Sequence, residues 1–382
     1  MKNVFAARSS GWLFWLILIL VSVAFLVANE SPNQPESSLS QTGSADGQIQ
    51  DGATPAAAPA ISEAPKLISE NGEPTSSLAV PFSRLYKTAA VNDILVDPRG
   101  FVWAATEQGL SSIKEDQLQN FSITEGSFPF QQAECLAYDG KDLWIGTLTG
   151  LCVQNDSGRF VRSELSDSLP SQLIWSLTWD GNTIWAGTQN GAAFMKPGSG
   201  FQTINEANTN GGLRNNWCHS LARPGTWFVA AHDRGLSIWN INFPASNPEL
   251  WKNIDHARSV ISRPITDIAF DGTRIWLGTG RGVLLLTTPV EKFFNDFTPN
   301  LVSYSRIHGL PANRVNALIA HRNSIWAGTD GGLVRIREDR IQLITASSGS
   351  APERVRKLAA SGDILWIGSD RGLQFINTAM VD

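Results

Sequence analysis

From about residue 81 to the carboxyl end, apolar and polar positions alternate in short runs, separated by Asp-Gly and other Gly turns. This is the pattern of half-buried strands, whose successive side chains leave on opposite faces. The runs also repeat. Residues 180–191 hold the clearest copy: Asp180 and Gly181, then Ile184, Trp185, Ala186, Gly187 and Thr188, then Gly191. Other copies carry Trp144, Gly146, Thr147 and Gly150; Trp276, Gly278, Thr279 and Gly282; Trp326, Gly328, Thr329 and Gly332; and Trp366, Gly368, Ser369 and Gly372. A looser copy has Trp103, Ala105, Thr106 and Gly109, and the most worn has Val229, Ala231, His232 and Gly235. With the Trp position (Val229 in the worn copy) as register mark, the steps are 41, 41, 44, 47, 50 and 40 residues.

Each repeat predicts four antiparallel strands. An apolar first strand, as at 265–270 or 315–320, leads through a turn to a second strand bearing Trp-x-Gly-Thr. A tight loop reaches the later Gly and a third strand, and a more polar fourth follows, as at 159–163, 249–254 and 340–345. Seven such units at this period predict an all-β, seven-bladed β-propeller of four-stranded blades over 81–382. A lone blade cannot bury both faces, so the ring must close. The seventh repeat reaches Asp382 after its third strand, and the strand-like residues 82–87 stand where a fourth would precede the first repeat. They are expected to complete the last blade. Trp103, Trp144, Trp185, Trp276, Trp326 and Trp366 are expected to fill the seams between blades. The Gly two residues on leaves room for close approach, and the Asp shapes the turn.

Ahead of the repeats the pattern changes. Residues 1–10 carry Lys2 and Arg8 without an acid, and 11–29 are uncharged and largely apolar. That predicts a cytoplasmic amino terminus and a transmembrane signal-anchor helix, with everything after it outside the cytoplasm. A cleaved signal peptide, with Ser22 and Ala24 before the cut, is the rival reading. The expected location is the inner membrane, single-pass, with the propeller periplasmic, or secretion if the leader is cut. Residues 30–80, rich in Ser, Gln, Pro, Gly and Ala, read as a disordered linker.

Composition narrows the function classes. The net charge of −5 gives nucleic-acid binding no electrostatic support. Charged residues are only 17%, below the usual quarter or so. Three Cys lack metal-ligand spacing. Cys135 and Cys152 fall on strands separated by a third, about 10 Å apart and too far for a disulfide, so buried free thiols are expected. The five His share no ligand spacing, so neither metal nor cofactor is implied. No nucleophile elbow, zinc-protease helix, P-loop or dinucleotide fingerprint occurs. The chemistry therefore points away from catalysis, with an extracytoplasmic lyase or glycan-active hydrolase as the alternative.

A site is expected where the loops between second and third strands meet those between blades. Those loops carry Asp233, Arg234, Arg281, Asp330, Asp370 and Arg371, joined by His219, Arg314 and Arg356. Glu107, Gln189, Asn190, Arg214, Arg263 and Arg354 belong to the same loops. Arg and Asp around one mouth suit an anionic or sugar-like ligand, or a partner's charged patch. Trp175, Trp179, Trp217, Trp239 and Trp251 lie outside the seam register and are either packing or stacking platforms.

Residues 309–315 (GLPANRV), 325–329 (IWAGT) and 331–333 (GGL) resemble the two-component-regulator propeller repeat, and 168–171 (SLPS) and 212–216 (GLRNN) match the same opening. The resemblance covers about 81–382. It implies the extracytoplasmic sensing part of a membrane histidine kinase. No kinase, phosphoacceptor or DNA-binding pattern is present in this chain, so signalling is expected to pass through another protein. The partner is then an unidentified ligand or an envelope protein.

Overall fold

The computed structural model describes residues 61–63 (backbone only), 76–155, 157–255, 264–293 and 300–381. The anchor expected at 11–29 and most of the linker lie outside them. Among the described residues no helix is long and apolar enough to cross a membrane.

Seven sheets form, each built on four antiparallel strands in the predicted order, and two of them gain a fifth, parallel strand. Their first strands are Val91–Val96, Cys135–Tyr138, Ile174–Trp179, Cys218–Ala222, Ile265–Phe270, Val315–His321 and Val355–Ser361. Each of these packs against the next, and the seventh packs against the first, so the circle is closed. The fold is an all-β seven-bladed propeller.

Each seam is an apolar cluster of its own. Trp103 meets Leu143 and Ile145 of blade two. Trp144 meets Ile174 and Ala186 of blade three, Trp185 meets Phe228 and Ala230 of blade four, and so on around the ring. Trp276, Trp326 and Trp366 fill the seams after blades five, six and seven. All six marker indoles are buried. Blade four, which has Val229 in place of Trp, fills its seam with Ile265, Ile275 and Leu277 instead. The Gly of Trp-x-Gly is explained by the same seam. A Cβ on Gly328 or Gly368 would strike Val355 or Val91, the first inner-strand residue of the following blade.

Four of the indoles are also tied down by hydrogen bonds. The Nε1–H of Trp103, Trp144, Trp185 and Trp276 donates to Asp97, Asp139, Asp180 and Asp271 at 2.8–3.0 Å. The repeated Asp thus does more than shape its turn. Trp326 donates to the His321 carbonyl at 3.3 Å. The Thr of the repeat locks the next turn by donating to the carbonyl of the later Gly, as Thr188 does to Gly191 at 2.7 Å. In the worn copy His232 takes this place, with its ring against Ser237 at 2.7 Å.

The first and last blades are joined by the segment before the first repeat. β1 (Ile61–Glu63) pairs in parallel with Leu301–Tyr304, the outer strand of blade five. β2 (Ser77–Pro81) pairs in parallel with Arg340–Ser348 on blade six. β3 (Tyr86–Lys87) pairs antiparallel with Gly372–Asn377 and supplies the fourth strand of blade seven. Residues 61–63 and 77–80, read as linker from composition, lie in strands: open sheet edges offer them ladder hydrogen bonds, and Val80 is buried in the seam after blade six. Within 82–87 only Tyr86–Lys87 is strand. Phe82 and Ser83 cross the seam, their N–H groups donating to Ser348 at 3.1 Å and Phe375 at 2.9 Å.

Cys135, Cys152 and Cys218 are free and buried. Cys135 and Cys152 are held on strands separated by Leu143–Thr147. Burial pushes the Cys152 and Cys218 thiols up to about 12.

Candidate binding face

The inner strands shape the face. In six blades the pairing of first and second strands slips by one residue near its start, leaving Asn92, Trp175, His219, Thr266, Asn316 and Arg356 as the extra residues. Glu134 stands at the same place in blade two. A bulge of this kind re-aims a side chain, and here the side chains reach the loops between second and third strands. The mouth of the ring is therefore lined by residues at one repeat position, and three of them also bridge to the next blade: Asn92, Thr266 and Asn316 donate to the Ala133, Val315 and Val355 carbonyls at 2.9, 2.6 and 2.9 Å.

One side of the mouth is ionic and internally paired. Arg356 of blade seven donates to Glu107 of blade one at 2.8 Å, to Asp370 at 3.0 Å and to Asn92 at 2.9 Å. Arg354 lies 3.0 Å from Asp330 and 3.6 Å from Asp370. Asn316 donates to Asp330 at 2.9 Å and accepts from Arg314 at 3.1 Å. These bonds run between blades six, seven and one, across the place where the chain's two ends close the circle.

The opposite side is aromatic. Trp175 and Trp217 lie 6.1 Å apart, tilted by 55°, and the His219 ring sits 4.8 Å from Trp175. His219 Nε2 is 2.7 Å from Asp233 Oδ1, which orients the imidazole. Trp217 is 44% exposed, a large open indole beside a polar edge. Trp239 and Trp251 are packing residues, buried and stacked at 5.4 Å.

One layer below, at the position facing the repeat Gly, the axis is crossed by charge. Lys357 Nζ lies 3.5 Å from Asp267 and 3.8 Å from Asp93, side chains from blades seven, five and one. Desolvation works against the charged lysine, but the two carboxylates outweigh it and hold its pKa above the ordinary value. Burial raises Asp93 despite Lys357 and the backbone donors. Asp93 and Asp267 also accept from Leu136 and Leu318, each at 2.9 Å, stitching blade one to two and five to six.

The structure thus gathers Asp330, Asp370, Arg314 and Arg356 into one network, and His219 with Asp233 into another. Arg234 donates to the Arg214 carbonyl at 3.4 Å, beside the second group. The side chains of Arg281 and Arg371 join neither. Arg263 lies outside the described residues. Asn92, Asn316 and the Asp93–Lys357–Asp267 bridge were missed from sequence. Aligning the first strands on the repeat Gly would have put all of them on the axis. Among the described residues no group of three or more His, Cys, Asp or Glu could hold a metal ion.

No family model and no curated protein matches the chain. Solved structures do. The extracellular domain of a B. thetaiotaomicron protein described as a hybrid two-component system superposes with a TM-score of 0.63 at 18% identity, over 78% of this chain and 42% of that one. A second such domain from the same organism gives 0.62 at 20%, over 78% and 40%. Virginiamycin B lyase from Staphylococcus aureus is more distant, at 0.51 and 14%, over 78% of this chain and 98% of the lyase. The chain spans about two fifths of the length of the sensor domains it matches. Its propeller fold is shared with the extracellular domains of sensor systems.

Proposed function

We propose that this chain is a membrane-anchored, extracytoplasmic sensor propeller that binds its ligand at the mouth and acts through another protein. The observation that carries this reading is the division of the mouth. Its ionic side is already paired, whereas its aromatic side offers an open indole beside a hydrogen-bonding edge. An indole face stacks against the C–H face of a sugar ring, while His219, Asp233 and Arg234 suit its hydroxyls. The proposed ligand is therefore a saccharide. The likeness to sensor domains supports the role, and the apolar stretch at 11–29 supports the anchor.

Calorimetric titration of the full chain with a panel of neutral and acidic oligosaccharides tests this. Binding that falls at least tenfold in Trp217→Ala and Trp175→Ala, and is unchanged in Arg281→Ala, is expected. Equal affinity in all variants, or no binding across the panel, would contradict it. The His219–Asp233 pair favours one second reading, an enzyme using His219 as general base. Cleavage of a bound saccharide, lost in His219→Ala with binding retained, would establish that reading in place of the first.

A further inference from the structure

A separate cavity of about 800 Å³ lies away from the aromatic shelf, between the amino-terminal segment and the rim of blades six and seven. One wall is Ser83, Arg84 and Leu85; the other includes Arg354, Asp370 and Arg371, with Gln374 between them. Three guanidinium groups line it against two carboxylates, Glu353 and Asp370, and Asp370 is already shared by Arg354 and Arg356. Arg84 is engaged at the surface by Asp116 at 2.8 Å. Arg371 is exposed, and its side chain meets no acceptor among the described residues; its backbone N–H donates to Ser369 at 3.2 Å. The neutral end of the cavity is preset, because Gln374 Nε2 donates to Ser83 and Ser350 at 3.3 and 3.1 Å and so fixes the two walls relative to each other.

We infer that this cleft is a second binding site, for a small organic carboxylate. A guanidinium fork matches a carboxylate in two parallel hydrogen bonds, and Arg371 is the fork left unspent. Arg354, whose Nε lies 3.0 Å from Asp330 and whose terminal nitrogen lies 3.6 Å from Asp370, is the second donor within the cleft, shared with the ionic side of the mouth. A dicarboxylate placed there touches both walls. Its occupancy therefore fastens the amino-terminal segment to the ring at the seam where the circle closes. The site does not depend on the saccharide reading of the mouth, which uses other blades.

The test is a thermal melt and calorimetric titration of the full chain with succinate, with succinamide and sodium sulfate at matched ionic strength as comparisons. Saturable binding and a raised Tm with succinate alone are expected, reduced at least tenfold in Arg371→Ala and partly retained in Arg371→Lys. Trp217→Ala should leave succinate binding intact. Equal stabilisation by sulfate, binding indifferent to Arg371→Ala, or no succinate binding at all would each overturn the assignment.

Discussion

At the scale of single residues, the Asp–indole bond and the axial lysine carry the clearest consequences. Burial alone would raise the carboxyls of Asp97, Asp180 and Asp271, but bonds from the indole, from Arg side chains and from backbone N–H groups hold them below the ordinary value. A carboxyl depressed in the folded state adds stability that is complete above its unfolded pKa of about 4 and lost as pH falls through the lower folded value. The ring should therefore lose stability from about pH 4 downward. Asp180→Ala, which strips the Trp185 Nε1–H of its acceptor, should cost about 1–3 kcal/mol at pH 7 and flatten the acid limb of a urea-denaturation series. Lys357→Met leaves Asp93 and Asp267 facing each other across the axis, and removing one partner of a buried ion pair costs about 3–5 kcal/mol. Adding Asp93→Asn and Asp267→Asn should recover part of that loss, which a double-mutant cycle reads directly. These roles were only half legible in the chain. Trp-x-Gly-Thr repeats because every seam needs it, so the repeat is loud. Asn92, Asn316 and Lys357 sit at repeat positions that vary from blade to blade, and variation leaves no pattern to read.

Among the elements, the amino-terminal segment departs furthest from its composition. Its Ser, Pro and Ala content argues for a coil up to residue 80, yet β1 and β2 are strands because sheet edges on blades five and six present unpaired backbone to them. A hydrophobic period cannot signal so short a strand as β2, in which only Leu78 and Val80 pack inward and the ladder holds the rest. Gly372 confirms the role of β3 from the other side. Its φ is +130°, and a Cβ there would strike the Tyr86 carbonyl, just as one on Gly282 would strike Tyr304 in blade five. Loss of this closure removes non-local contacts between blades six, seven and one. Replacing residues 77–87 with a Gly/Ser stretch should lower the Tm by 10 °C or more, since about 1 kcal/mol shifts a domain of this size by only a few degrees. An unaltered melt would show that the circle closes without the segment. The seam indoles predict a comparable cost one at a time. Trp326→Ala should lose about 3–5 kcal/mol by urea denaturation.

The whole molecule separates architecture from recognition. Seven seams and one closure make the ring, and all were foreshadowed by period and strand content, because a propeller repeats its structural solution once per blade. The candidate face is the opposite case. It is assembled from single residues on different blades, brought together only when the circle forms, so its division into ionic and aromatic sides required the fold. In the proposed function, ligand enters the mouth over Trp175 and Trp217, the indoles of blades three and four. Oxidative footprinting with residue-level mass spectrometry tests it most directly, in the presence and absence of an oligosaccharide that binds. Trp217 and Trp175 are expected to be oxidised in the free ring and protected when ligand is present, while Trp103, Trp185, Trp276 and Trp326 stay unreactive throughout. Protection of another face, with Trp217 and Trp175 oxidised equally in both states, would contradict it.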